Sequence, residues 1–229
     1  MNGTRAVFGA LLRRYRLPLL IAGLVLAVGV VISSLVVGAR IDPSFSPWMV
    51  VAGSVVKYWL FAFGVLLVAG HLRLFAAAGL TRRAVLTGGA VLGVLSAIAA
   101  AVLTALGHGL ESALIGDVSP GYPAWSVAGA VAELGHLLPI CIAFFVSGAA
   151  AAVGFYRFGA WRGLPLAVPA ALPLVVAEEL LGVDGSGQVL TRVLPYAAGL
   201  PVSLAVTLLG ALLCYWLTHG APIRRPAMG

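Results

Sequence analysis

Glu133 and His136 stand three residues apart in an otherwise apolar stretch. On a helix, that spacing puts a carboxylate and an imidazole on one face, as di-metal helix bundles do to hold their ions. His108 and Glu111 repeat the spacing in reverse order. The four side chains could ligate a metal, which would make the chain an intramembrane metal-dependent enzyme. Their placement argues against it: they come from one loop and one helix start, with no cysteine or further histidine cluster beside them.

Lys57, Glu178 and Glu179 complete a set of ionisable residues at matched depth. At 1.5 Å per residue, Lys57 lies about 12 Å into its apolar stretch. Charge inside a bilayer is costly and usually faces a bundle interior or a wet cavity. Lys57 is therefore expected to pair with Glu133 or with Glu178 or Glu179. In the plainer alternative, Lys57 snorkels outward past Tyr58 and Trp59, and the glutamates sit among the headgroups. The Glu178-Glu179 pair resembles the double glutamate of membrane CAAX-type proteases, but the arginine that follows it in that motif and the later histidine motifs are missing. No Gly-x-x-x-x-Gly-Lys-Ser/Thr occurs, so no P-loop is present and no ATP site of that kind.

The elements that carry these residues follow from composition. The chain has 229 residues, 62% hydrophobic and 9% charged, with a mean hydropathy of +1.09. Soluble domains are roughly 25% charged. Too few polar residues are present to cover a globule, so lipid is the expected solvent. The net charge of +7 could suggest nucleic acid, but the basic residues flank apolar segments, as topology signals do; no nucleic-acid partner is expected. Cys141 and Cys214 lie within apolar segments and do not read as a disulfide.

Six stretches approach the ~20 apolar residues a bilayer-crossing helix needs. They are 17–37, 49–70, 84–106, 128–156, 164–181 and 198–217. The fourth contains Pro139, which predicts a kink or tilt. The fifth is short and carries Pro165, Pro169 and Pro173. The expected fold is all-α, a single membrane domain over 1–229. Arg13, Arg14 and Arg16 before the first stretch resemble a signal-peptide n-region, but that stretch is too long for an h-region and reads as a retained span.

Arg5, Arg13, Arg14, Arg16, Arg73, Arg82, Arg83, Arg157, Arg162, Arg224 and Arg225 all fall on one side of a six-span chain. Arg40 and Arg192 fall on the other. The positive-inside rule then places both termini in the cytoplasm. The acidic residues Asp42, Glu111, Asp117, Glu133, Glu178, Glu179 and Asp184 all take the outer side.

Two segments on the inner side suggest finer structure. Over Thr4–Arg16, Val7, Phe8, Leu11 and Leu12 recur at helical spacing among arginines. That pattern fits either an amphipathic interfacial helix at 4–16 or a basic tail that only sets topology. Leu72–Ala78 can form a short helix ended by Gly79, with Thr81 capping the third span. An ordered, arginine-flanked loop suits docking; an ordinary positive-inside loop is the alternative. Gly89 and Gly93 permit close approach of a neighbouring helix.

In this order of elements the chain resembles permeases of the ABC-2 type transporter family, the membrane subunits of ATP-driven exporters. The resemblance covers nearly the whole length. It implies six spans with both ends inside, an elbow helix at Thr4–Arg16, and an interfacial outer segment at Gly185–Leu200. It also implies an ATPase-coupling element made of Arg73, Leu74, Phe75, Gly79, Leu80, Thr81, Arg82 and Arg83. The expected partners are an ABC ATPase subunit and a second permease, identical or related, with ATP and Mg held by the ATPase and no cofactor in this chain. The expected location is a bacterial cytoplasmic membrane, with a hydrophobic or amphipathic substrate such as a drug, peptide or lipid. A non-transporting accessory or immunity subunit is the runner-up.

Overall fold

A computed structural model describes residues 3–38, 46–115, 125–182 and 194–219. All regular structure among them is helical: α1 (Gly3–Gly38), α2 (Pro47–Ala77), α3 (Arg82–Ile115), α4 (Val127–Leu181) and α5 (Tyr196–His219). Pro47–Ala77, Arg82–Leu114, Val127–Leu181 and Tyr196–His219 are each long and apolar enough to cross a membrane. Arg40, Asp42, Asp117, Asp184, Arg192, Arg224, Arg225 and most of the 185–200 segment lie outside the described residues.

The longest helix is a hairpin. Gly159 has φ 81° and ψ 179°, a conformation open essentially to glycine alone. From there the chain doubles back. Gly163 abuts Phe155, and Gly154 abuts Leu166. The Leu174 N–H donates to Ser147 Oγ at 3.2 Å, and His136 Nδ1 lies 2.8 Å from Leu181 O. These pairs step away from Gly159 symmetrically, so residues 127–158 and 160–181 are antiparallel arms joined at that residue. The proline-rich second arm stays helical. Beside Pro173, the Ser147 hydroxyl serves the Leu174 N–H, as apolar surroundings require, and the Pro173 ring fits against Gly210 of α5.

Helices α2, α3 and α5 pack against this hairpin and α1 packs outside it, on α3 and α2, in alternating directions. Gly3 meets Ala84, Val7 meets Gly88 and Gly23 approaches Leu103, so α1 and α3 run parallel. Trp48 reaches Thr104 and Leu67 reaches Gly89, so α2 and α3 run antiparallel. In α2 and the first arm of α4, Tyr58 meets Phe144 and Gly64 meets Ala149, a parallel pair. Residues 180–181 and 173 meet 199 and 210, so α5 opposes the second arm. The arginines of the described turns gather at one end of the bundle and its glutamates toward the other.

Packing, rather than expulsion of water, holds such a bundle together in lipid. Phe63, Leu67, Leu92, Phe145 and Val153 form its centre. The closest approach is between α2 and α4. A Cβ on Gly64 would strike the Phe145 carbonyl, and one on Gly148 would strike the Phe61 carbonyl. This reciprocal glycine pair brings the two backbones together. Gly89 and Gly93 do a different job: they make room for the Leu67 side chain and the Phe145 ring.

Several expected boundaries are corrected. Residues 4–16 and 17–37 belong to one helix with no break at Arg16, so the interfacial segment is not a separate element. Its apolar residues Val7 and Leu11 are fully buried, in the same core cluster as Ala84 and Val85 of α3. Residues 72–77 are the end of α2 rather than a separate short helix. The third helix continues nine residues past 106, to Ile115. The expected loop from 157 to 163 shrinks to a turn at Gly159.

Candidate functional sites at the two ends of the bundle

At the glutamate end, four elements contribute to a buried polar network. Glu111 of α3 accepts the Trp48 N–H at 3.0 Å and the Ser46 hydroxyl hydrogen. It thereby caps the start of α2, where helical N–H groups have no partner of their own and an anion is favoured. Ser46 also accepts the Met49 N–H at 3.1 Å. The Trp48 indole N–H donates to Thr104 O at 2.8 Å. This role for Glu111 was invisible in sequence because it joins residues more than sixty positions apart.

The Glu-x-x-His pair divides its attention. Glu133 Oε1 lies 2.6 Å from His108 Nδ1, with both side chains buried. Glu133 Oε2 is buried with no hydrogen-bond partner among the described residues. His136 turns instead to the second arm, 2.8 Å from Leu181 O. A carbonyl only accepts, so His136 Nδ1 carries a proton. Tyr196 packs on the His136 ring at 4.5 Å and donates its hydroxyl hydrogen to Gly135 O at 3.1 Å. Among the described residues, no group of three or more His, Cys, Asp or Glu side chains is placed to hold a metal ion. The two halves of the motif serve different helix contacts.

Lys57 pairs with Glu178, not Glu133. Its Nζ lies 2.6 Å from Glu178 Oε1 and 5.8 Å from the Phe144 ring centre. The Lys57 side chain is 16% exposed and that of Glu178 is 38% exposed. The pair ties α2 to the second arm across the first. Glu179, the neighbour, is exposed.

At the arginine end, α2 reverses into α3 through residues 78–81. The Leu80 N–H donates to Phe75 O at 3.0 Å, and the Gly79 N–H to Ala76 O at 3.1 Å. With Gly79 at φ 78°, this is a Schellman C-cap. Thr81 Oγ1 then accepts the Ala84 N–H at 3.2 Å and caps α3. Both capping roles match the expectation from sequence.

The turn is anchored to the rest of the bundle. Arg82 donates to Thr218 O and His219 O, each at 3.1 Å, at the end of α5. Those carbonyls are the negative end of that helix. Arg73 lies over the Tyr156 ring at 5.2 Å, reaching the first arm of α4. Arg157 donates to Leu217 O at 2.9 Å and contacts the Phe158 and Trp216 rings. Phe75 and Leu80 pack against the core. Arg73, Leu74, Gly79, Thr81 and Arg83 are exposed, and of these Leu74 and Arg83 take no part in the caps and anchoring contacts just described. The eight residues of the expected coupling element thus divide into six that cap or anchor the turn and two, Leu74 and Arg83, that do neither.

Comparisons of the chain with protein-family models, with curated proteins and with solved structures found no match.

Proposed function

We propose that the chain is a permease subunit that crosses a bacterial cytoplasmic membrane six times, with both termini inside, and works with a separate ABC ATPase. The six crossings would be α1, α2, α3, the two arms of α4, and α5. The arginine-rich end faces the cytoplasm in this reading, as the positive-inside rule requires. A second permease copy, identical or related, would complete the pathway. The substrate class is hydrophobic or amphipathic.

One observation supports the docking role above the others. The 78–81 turn is short, doubly capped and tied through Arg82 to α5 and through Arg73 to α4. Force applied there would pass to four helical segments together instead of being absorbed by a loose loop. Leu74 and Arg83 would meet the ATPase, while Arg73, Phe75, Gly79, Leu80, Thr81 and Arg82 hold the shape that presents them. ATP-driven closure of the partner would then move helices as rigid bodies and give alternating access. ATP and Mg belong to the partner. The test is isolation of the chain from its native membrane in mild detergent, with assay of the complex for ATP hydrolysis. A preparation without an ATPase would favour an accessory role.

A further inference from the structure

An apolar groove of about 750 Å³ opens between α1 and α2, with α3 as its floor. Leu19 and Gly23 form one wall, Val55 and Trp59 the other, and Leu95 and Ala99 lie beneath. It exists because its residues are small where helices would otherwise interlock: Ala22 and Gly23 on α1, and Ser96, Ala99 and Ala100 on α3. A second hollow of about 170 Å³ also borders Gly23 and Leu103, and reaches Trp48 and Leu110. From Leu92 to Leu110 the two cover about 27 Å of α3 at 1.5 Å per residue. That is close to the ~30 Å thickness of a bilayer's hydrocarbon core.

The end of the groove nearest the arginine-rich face is basic. Leu12, Arg16, Leu19 and Gly23 follow one another at spacings of four, three and four, so they form one stripe of α1. Arg16 on this stripe and Arg13 one turn before it are exposed, and Arg14 is exposed on another face of the helix. Tyr15 closes the same end against α2, its hydroxyl 3.3 Å from His71 Nδ1 and its ring edge-on to Phe63. Long apolar slot and adjoining guanidinium cluster together match an acyl chain that ends in a negative headgroup.

We propose that this groove binds an anionic phospholipid, one acyl chain lying along α3 and the phosphate headgroup held by Arg16, on the groove stripe, and Arg13, its neighbour one helical turn earlier. The groove is open and almost wholly apolar, so in the membrane reading lipid hydrocarbon fills it. The arginines select the charge class, since guanidinium groups bind phosphate well. The proposal rests on the membrane reading alone and not on the ATPase partnership.

Trp59 in the groove wall supplies the readout. The full chain is placed in phosphatidylcholine bilayers containing a minor fraction of either dibrominated phosphatidylglycerol or dibrominated phosphatidylcholine. The difference in quenching between the native chain and Trp59→Phe isolates Trp59. The brominated anionic lipid should quench Trp59 more strongly at equal mole fraction. Replacing Arg13 and Arg16 by Gln should erode that preference by about fivefold in lipid affinity per arginine. Gly23→Phe should abolish Trp59 quenching by filling the slot, since a Cβ there meets only Leu103 at 4.0 Å. Ala99→Leu, from the opposite side, gives the same test should Gly23→Phe fail to fold. Equal quenching by the two lipids, or quenching unchanged in the filled variants, would overturn the proposal.

Discussion

The Lys57 ammonium lies 2.6 Å from the Glu178 carboxylate, joining α2 to the second arm of the α4 hairpin. Removing one partner of a desolvated pair strands the other charge. Full burial would make that cost about 3–5 kcal/mol. Here Glu178 is 38% exposed, so Lys57→Met or Glu178→Gln should each cost about 1–2 kcal/mol. Combining Lys57→Glu with Glu178→Lys should recover stability relative to either reversal alone. Combining Lys57→Glu with Glu133→Lys should not, because Glu133 faces His108. Thermal melts of the purified variants in detergent check the pairing.

The Gly64 and Gly148 contact makes a sharp prediction about methyl groups. Gly64→Ala or Gly148→Ala must push α2 and α4 apart, because a Cβ at either site meets backbone. Overpacking of this kind costs about 1–3 kcal/mol. Gly53→Ala and Gly70→Ala meet nothing within 4 Å, and should be neutral or stabilising by up to about 1 kcal/mol through helix propensity. Melting temperatures of the four variants should therefore separate into two groups.

Two glycines with positive φ should respond differently to asparagine. Gly79 has φ 78° and open space around it. Asparagine is the usual second choice at such a helix end, so Gly79→Asn should fold. At Gly159, ψ 179° accompanies φ 81°, and there only glycine is comfortable. Gly159→Asn and Gly159→Val should lose about 1–3 kcal/mol or fail to fold. Expression level and thermal stability distinguish the two sites.

The six-crossing reading can be mapped chemically. Cys141 and Cys214 are buried, so they give little background labelling. New cysteines at Arg83 and at Trp161, which is 88% exposed, should be protected from an impermeant maleimide in intact cells. A cysteine at exposed Val127 should be labelled. Labelling of Arg83→Cys in intact cells would refute the assigned orientation.

Much of the helix pattern was legible because it is local. Hydropathy located every segment. The Gly79 and Thr81 caps were readable because a left-handed helix stop and a side-chain N-cap depend only on neighbours in sequence. What sequence could not supply were choices between helices. Depth matching put Lys57 level with both Glu133 and Glu178, and only the hairpin geometry decides between them. Glu111 was out of reach for the same reason, since it caps α2 from α3. The loop expected from Arg157 to Gly163 failed on a local point: one glycine in an extreme backbone conformation turns the chain without a loop. The small-residue motif at Gly89 and Gly93 makes room for side chains, while the backbone contact comes from Gly64 and Gly148, neither of which belongs to a Gly-x-x-x-Gly pair.

The central claim is that the arginine end grips a separate ATPase, and the most direct measurement is recovery of that partner. The chain would be tagged in its native host, extracted in mild detergent and assayed for bound ATP-hydrolysing protein. The expected result is co-purification of one ATPase, lost in Leu74→Asp or Arg83→Glu while the chain itself remains folded and at normal abundance. A folded, membrane-embedded preparation with no ATPase, or an ATPase whose binding ignores both substitutions, would contradict the claim.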